Sequence, residues 1–304
     1  MRSVLTLIAD PATAKLTPET ALAAWRALRA AGERLGVTVG DIDWLAPGVA
    51  CDMALEAPPD PGLREIAIKA LAGRPVDAVL QPAAGRRKKL LVADMESTII
   101  VNEMVDELAA LVGIGEQVAE ITRRAMNGEI GFKDALRERV TLLGGLEEEA
   151  LKETCERIVF MPGAQALVAT MRAHGARCAL VSGGFRLFTG YVAPRIGFDW
   201  HYANDLVVRD GVVAGTVTEP ILGREGKREA LVSLCRELNF ALAETIAVGD
   251  GANDIDMIRA AGTGVAFRAK PVLKAAAPVA IDHGDLTALL YLQGYRQSEF
   301  TAAA

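Results

Sequence analysis

Asp94 and Glu96 stand one residue apart, and Ser97 and Thr98 follow at once. Carboxylates at that spacing lie on the same side of an extended chain. A pair held in unequal environments can divide the work, one ionised as nucleophile or ligand and the other protonated as an acid. The four residues before them, Leu90-Leu91-Val92-Ala93, are an apolar run of the length of a short buried strand. In an open parallel sheet, ligands bind beyond the carboxyl ends of the strands. A strand ending at Asp94 would therefore hold that carboxylate in a crevice. An acidic turn after a strand has the same local sequence, and other segments decide between the two.

Ser182-Gly183-Gly184 follows the apolar run Cys178 to Val181. Glycine lets backbone N–H groups approach a phosphate closely, although a tight strand-to-helix turn would read alike. Thr245 to Val248, again apolar, leads into Gly249-Asp250-Gly251-Ala252-Asn253-Asp254. Carboxylate oxygens gathered there suit a hard divalent cation. Between the two lies Lys227, a point charge able to touch both a phosphate and an aspartate. From spacing alone, Arg224 and Arg228 are equal candidates for that task.

In chain order, the acid pair, Ser-Gly-Gly, Lys and Gly-Asp-x-x-x-Asp resemble the haloacid dehalogenase-like (HAD) phosphohydrolases. Val101-Asn102-Glu103, Leu136-Arg137-Glu138-Arg139-Val140, Met161-Pro162-Gly163, Val181 to Phe185 and Val248 to Asp254 are similar to the phosphoserine phosphatase family among them. The resemblance runs from about Leu90 to about Leu290. It implies an α/β fold: a Rossmann-like HAD core with a parallel sheet and a small helical cap. It further implies Asp94 as nucleophile and Glu96 as general acid and base. Mg²⁺ would be held by Asp94, the main-chain carbonyl of Glu96 and Asp250, with Asp254 supporting them. Ser182, Gly183, Lys227 and Asn253 would receive the phosphate of O-phospho-L-serine. Glu103 would pair with its ammonium and Arg139 would grip its carboxylate in a two-pronged contact. The reaction implied is hydrolysis to L-serine and phosphate, the last step of L-serine biosynthesis. The family usually carries Asp where Glu96 stands, and the extra methylene shifts the acid by about one carbon–carbon bond. Two other functions fit the same residues: a phosphatase or phosphotransferase for another small phosphoester such as phosphohomoserine, and a weakly active serine or phosphate sensor.

The elements that must position these groups can be read around them. Residues after Thr98 turn helical: Met104 to Leu111, Gln117 to Met126, a turn at Asn127-Gly128, Phe132 to Leu143 and Leu146 to Val159. This insertion, about 104–160, is the expected cap. Met126 and Phe132 either line its pocket or pack its core. Leu206 to Arg209 and Val212 to Val217 flank Asp210-Gly211, a hairpin turn signal, and the resemblance makes that hairpin a side branch of the core. Ahead of the acid pair the order strand, helix, strand, strand, helix, strand is the split βαβ pattern of a ferredoxin-like α+β domain, over residues 1–82. Such a module, similar to ACT domains, is either a regulatory unit that binds serine as effector or a structural unit that forms a homodimer. Residues 83–89 read as a linker. Its basic run Arg86-Arg87-Lys88-Lys89 is expected to be a solvated boundary, with the HAD core and cap filling 90–304.

The formal charge of −6 over 304 residues offers no basic footprint for nucleic acid. No stretch of about 20 apolar residues predicts a membrane span. Asp10, Lys15 and Glu19 interrupt any signal-peptide pattern, so a cytoplasmic protein is expected. Cys51, Cys155, Cys178 and Cys235 lack metal-ligand spacing. His174, His201 and His283 are isolated, with surface or turn roles expected. The tail Thr301 to Ala304 is expected to be loose.

Overall fold

The computed structural model describes residues 2–10, 12, 16–126 and 129–301. The turn expected at Asn127-Gly128, the side chain of Met126 and the tail beyond Thr301 lie outside the described residues.

The N-terminal unit comprises β1 (Ser3–Ala9), α1 (Pro18–Leu35), β2 (Val39–Ala46), β3 (Ala50–Leu55), α2 (Pro61–Ala70) and β4 (Val76–Pro82). Thr17 caps α1, its hydroxyl accepting the Thr20 N–H, with Pro18 in the first turn. Gly36, in the left-handed region at φ 70°, ends it. Asp60 and Pro61 open α2 in the same manner. The strands form an antiparallel sheet in the order β2-β3-β1-β4, the ferredoxin-like arrangement. Leu5, Leu7 and Ala9 point from β1 into the helices.

The opposite face of that sheet is also covered. Ile8, Leu45, Ala50 and Val79 join the large hydrophobic core of the rest of the chain. Polar groups fix the docking. The Asp77 carboxylate accepts the N–H groups of Asp282, His283 and Gly284 at 2.8, 3.0 and 2.8 Å. Arg86 departs from the expected solvated boundary. Its guanidinium grips Asp52 at 2.6 and 3.2 Å and donates to the carbonyls of Tyr291 and Leu292. A charge pair enclosed this way contributes chiefly geometry, because desolvation offsets much of its attraction.

The second unit follows: β5 (Leu90–Ala93), α3 (Met104–Leu111), α4 (Gly115–Met126), α5 (Phe132–Leu142), α6 (Glu148–Glu156), α7 (Ala164–Ala173), β6 (Arg177–Phe185), α8 (Arg186–Ile196) and β7 (Trp200–Asn204). Then come the hairpin β8 (Leu206–Arg209) and β9 (Val212–Val217), α9 (Arg224–Leu238), β10 (Thr245–Gly249), α10 (Ile255–Ala260), β11 (Thr263–Phe267), α11 (Pro271–Lys274), β12 (Val279–Ile281) and α12 (Ala288–Leu292). Six strands form a parallel sheet in the order β12-β11-β10-β5-β6-β7. Counted within this unit alone, that order is the doubly wound one. The chain leaves β5 toward β6 on one side, and β10 returns on the other. The crevice at such a switch point is where open α/β sheets bind ligands.

Helices α3 to α6 form the inserted cap. The hairpin packs on the cap as well as leaving the core: Val213 shares a cluster with Leu108, Leu143 and Leu151, and backbone bonds join Gly145 to Val213 and Leu146 to Val213. Two connections tie cap to core side by side, with Val101 N–H donating to Val159 O and Met161 N–H to Ile99 O. The edge strand β7 went unread in the sequence, and it places His201 where its ring meets the Thr189 hydroxyl at 2.9 Å. Among the described residues no helix is long and apolar enough to cross a membrane.

Candidate active site

Asp94 follows β5 directly, and its N–H donates to Val248 O of β10, which ties the ends of the two strands together at the floor of the crevice. One of its oxygens, Oδ1, receives the Met95 N–H at 2.7 Å and the Lys227 ammonium at 2.6 Å. Oδ2 has no hydrogen-bond partner among the described residues. The carboxylate is thus fixed at one oxygen and open at the other.

Lys227, from the first turns of α9, is fully buried and divides its charge between Asp94 and Asp254, the latter at 2.7 Å. Burial alone would lower its pKa, but Asp254 and Asp94 overcome that and hold it above the ordinary lysine value. Arg224 and Arg228, its equals by spacing, lie exposed, Arg224 paired with Asp256. Asp254 is engaged at both oxygens, by Lys227 and by the Gly251 N–H at 3.0 Å. Gly249 makes room for it, since a Cβ there would lie 2.4 Å from Asp254 Cγ.

Asp94, Asp250 and Asp254 bring carboxylate oxygens within 4.8 Å of one another. Burial first, then Asp254, drives the Asp94 carboxyl well above its usual range, against Lys227. Asp250 is likewise raised by burial. Three buried carboxylates share one buried ammonium, a surplus of two negative charges. An all-oxygen donor set with that surplus fits a hard divalent cation such as Mg²⁺. Asp94 and Asp250 have an oxygen to give, whereas both oxygens of Asp254 are taken.

Ser182 and the two glycines do not form a turn. They continue β6 in extended backbone, with an irregularity in its pairing to β7 between Val181 and Phe185. Ser182 is buried, and its Oγ accepts the Gly184 N–H at 2.9 Å. The Asn253 amide nitrogen lies 3.8 Å from where a Gly183 Cβ would be, so both face one spot. The Phe132 ring, at the start of α5, covers the same glycine, 3.1 Å from where its Cβ would be, and lies 3.3 Å from where a Gly223 Cβ would be.

Glu96 reaches toward the cap. Its Oε1 accepts the N–H of Met104, the first residue of α3, at 2.8 Å. Its Oε2 rests against Gly184, 3.0 Å from where a Cβ would be. The added methylene is therefore accommodated between a helix N-terminus and a residue without a side chain. Burial of the carboxyl, then the Glu103 charge, push Glu96 up to about 7, against the Met104 N–H, Arg139 and Lys227. Gly184→Ala would press on Oε2 and on Ser182 Oγ, 3.1 Å away. A shift of a few tenths of an ångström should cost about tenfold in kcat, measured beside an unchanged melting temperature.

Glu103 precedes α3 and accepts a hydrogen bond from Ser97 Oγ at 2.7 Å. Ser97 has φ 52°, an uncommon conformation for serine, which turns its hydroxyl toward that partner. Arg139 is half-buried on α5 and close enough for its charge to act on Glu96. The structure thus gathers Asp94, Glu96, Glu103, Arg139, Ser182, Gly183, Lys227, Asp250, Asn253 and Asp254 around one crevice. Lys270 was not singled out in the sequence. Its Nζ lies 3.4 Å from Asp250 Oδ2. Its position just past the carboxyl end of β11, the strand beside β10, is the signal that could have found it.

Comparison with known proteins agrees with this geometry. The sequence profile of the haloacid dehalogenase-like hydrolases matches residues 91–259. A phosphoserine phosphatase of Streptomyces coelicolor is 36% identical over 306 residues, covering 99% of this chain and 73% of that protein. A HAD family hydrolase from Salmonella enterica serovar Typhi superposes with a TM-score of 0.83 at 28% identity, over 96% of this chain and 98% of that one, so both units recur together. A substrate-bound phosphoserine phosphatase complex matches at a TM-score of 0.64 and 38% identity, over 67% of this chain and 98% of that one. With its profile match over more than half of the sequence and a relative this similar along nearly its whole length, the chain belongs to the haloacid dehalogenase-like hydrolases, within their phosphoserine phosphatase family.

Proposed function

We propose that the chain hydrolyses O-phospho-L-serine to L-serine and phosphate in the cytoplasm, by way of a phosphorylated Asp94. The observation that carries this reading is the pairing of Asp94, fixed at Oδ1 and open at Oδ2, with a second carboxyl held near neutrality, Glu96. Asp94 attacks phosphorus, and the bond from phosphorus to the seryl oxygen breaks. Glu96 gives its proton to the departing oxygen. As a carboxylate it then takes a proton from the water that attacks the aspartyl-phosphate. Lys227, the Ser182 hydroxyl, the Gly183 N–H and the Asn253 amide offset charge on the transferring oxygens. Mg²⁺ held by Asp94, Asp250 and the Glu96 main-chain carbonyl would add positive charge beside those oxygens. Asp254 keeps Lys227 in place. The cap excludes water and presents Glu103 to the substrate ammonium and Arg139 to its carboxylate.

The chain divides, on this reading, into an N-terminal unit (1–82), a connection (83–89) and the catalytic unit with its cap (90–304). Because both faces of the N-terminal sheet are occupied, a serine effector or a second copy of the chain would have to use its helices or its edge strands, β2 and β4.

Phosphate release with Mg²⁺ should be far faster from O-phospho-L-serine than from glycerol phosphate, which lacks both ammonium and carboxylate. Free serine or homoserine, added as acceptor, would expose a phosphotransferase by transfer without net phosphate release. Arg139→Lys, which loses the two-pronged grip, should raise KM for phosphoserine about tenfold with kcat changed much less. Equal kcat/KM for the two phosphoesters would overturn the assignment.

A further inference from the structure

Lys270 is the one cation besides Lys227 whose ammonium reaches the carboxylate cluster among the described residues. It is anchored twice. Its backbone N–H donates to Asp250 O at 2.9 Å, and its Nζ stands 3.4 Å from Asp250 Oδ2. As the residue that opens α11, it sits at the rim, half in solvent. Its charge acts also on Glu103 and Asp94. It is therefore in contact with a carboxylate expected to bind the divalent cation and within electrostatic reach of one expected to bind the substrate ammonium. The interior lysine differs in kind: the Lys227 side chain has no exposed surface and is held by two aspartates.

We propose that Lys270 is a resident counter-ion that competes with the divalent cation for Asp250, holding that carboxylate in position when the metal is absent and weakening metal affinity. The inference rests on the cation site assigned above. Without Lys270 the surplus of two buried negative charges in the metal-free protein would lose the one rim charge that halves it, and Asp250 would lose the partner that holds its side chain. A flexible ammonium at the rim can yield to a doubly charged ion. A buried one could not do so without leaving a charge stranded.

The direction of the expected effect separates this role from a merely structural one. Damage to the loop would weaken cation binding, whereas removal of a competitor strengthens it. Isothermal titration of Mg²⁺ into chelator-stripped full-length protein reads the affinity without turnover. Lys270→Met, which keeps the stem and the backbone anchor, should bind Mg²⁺ about three- to tenfold more tightly than the parent chain. Lys270→Arg, which keeps the charge, should stay within about twofold. The gain should shrink as salt is raised, since the rim is screened. Asp250→Asn is the control on the site itself. If the parent chain binds Mg²⁺ no better than Asp250→Asn does, the cation site is wrong and the inference falls with it. If binding depends on Asp250 but Lys270→Met binds Mg²⁺ equally or less tightly than the parent chain, the inference alone is overturned.

Discussion

Asp94→Asn should abolish turnover, with a loss of at least about 10⁴-fold in kcat, and should leave no phosphoryl group on the protein after acid quench. The variant keeps the volume of the side chain and an oxygen able to accept the Met95 N–H. It loses the carboxylate that would bond to phosphorus. Mass analysis of the peptide containing position 94, quenched during turnover of phosphoserine, should find the phosphoryl group in the parent chain alone. Stability gives an independent check. Burial and the neighbouring Asp254 raise the Asp94 pKa in the fold. A carboxyl raised this way favours the folded state below its ordinary pKa and loses that stabilisation as pH rises through the folded value. Above that folded value the metal-free fold carries an unfavourable buried charge that Asn does not, and below it both side chains are neutral. The variant should melt no lower than the parent without metal, and Mg²⁺ should raise its melting temperature less. Retained turnover in Asp94→Asn would leave the crevice without a nucleophile and end the mechanism.

The ends of the core strands were legible because the signal is local: an apolar run of four or five residues stops at an acid or a glycine. Asp94 and Asp250 could be found that way, and so could α1, through Thr17, Pro18 and Gly36. What brings the two aspartates together is not local. It is the β5–β10 pairing, which joins Val92 to Ala247 across more than half of the chain, and only the family resemblance supplied it. Ser182-Gly183-Gly184 looks like a turn because glycines commonly mark one, yet here they keep an extended strand clear for Glu96 and Phe132. Strand β7 was missed because Trp200-His201-Tyr202 lies at a sheet edge, half-buried, and shows no alternation. The role of Arg86 is hidden from the sequence for a related reason. A basic run is usually solvated, and nothing near it in sequence announces Asp52 or the carbonyls of Tyr291 and Leu292. Lys270 belongs to the same class: its meaning comes from the strand beside it in space.

Glu96→Gln should lower kcat/KM for phosphoserine by about 10²–10⁴-fold, and the form of the loss should identify the role. A glutamine fills the same space between Met104 N–H and Gly184 but has no proton to give to a seryl oxygen. With an aryl phosphate, whose leaving group departs without a proton, the first step should be nearly normal. The second step still needs a base for water. Phosphorylated Asp94 should then accumulate as a burst equal to the enzyme present, followed by slow release. The pH profile follows from the same group. With Glu96 near 7, its protonated form dominates below that value and is depleted about tenfold for each pH unit well above it. The parent chain's kcat/KM for phosphoserine, which ends at phosphoryl transfer, should fall along that alkaline limb, and Glu96→Gln should lack it. The limb should also be absent in the parent chain with the aryl ester, because no proton is required there. Full turnover of phosphoserine by Glu96→Gln would remove Glu96 from the chemistry. Its contact with the first residue of α3 would then be only a means of holding the cap on the core.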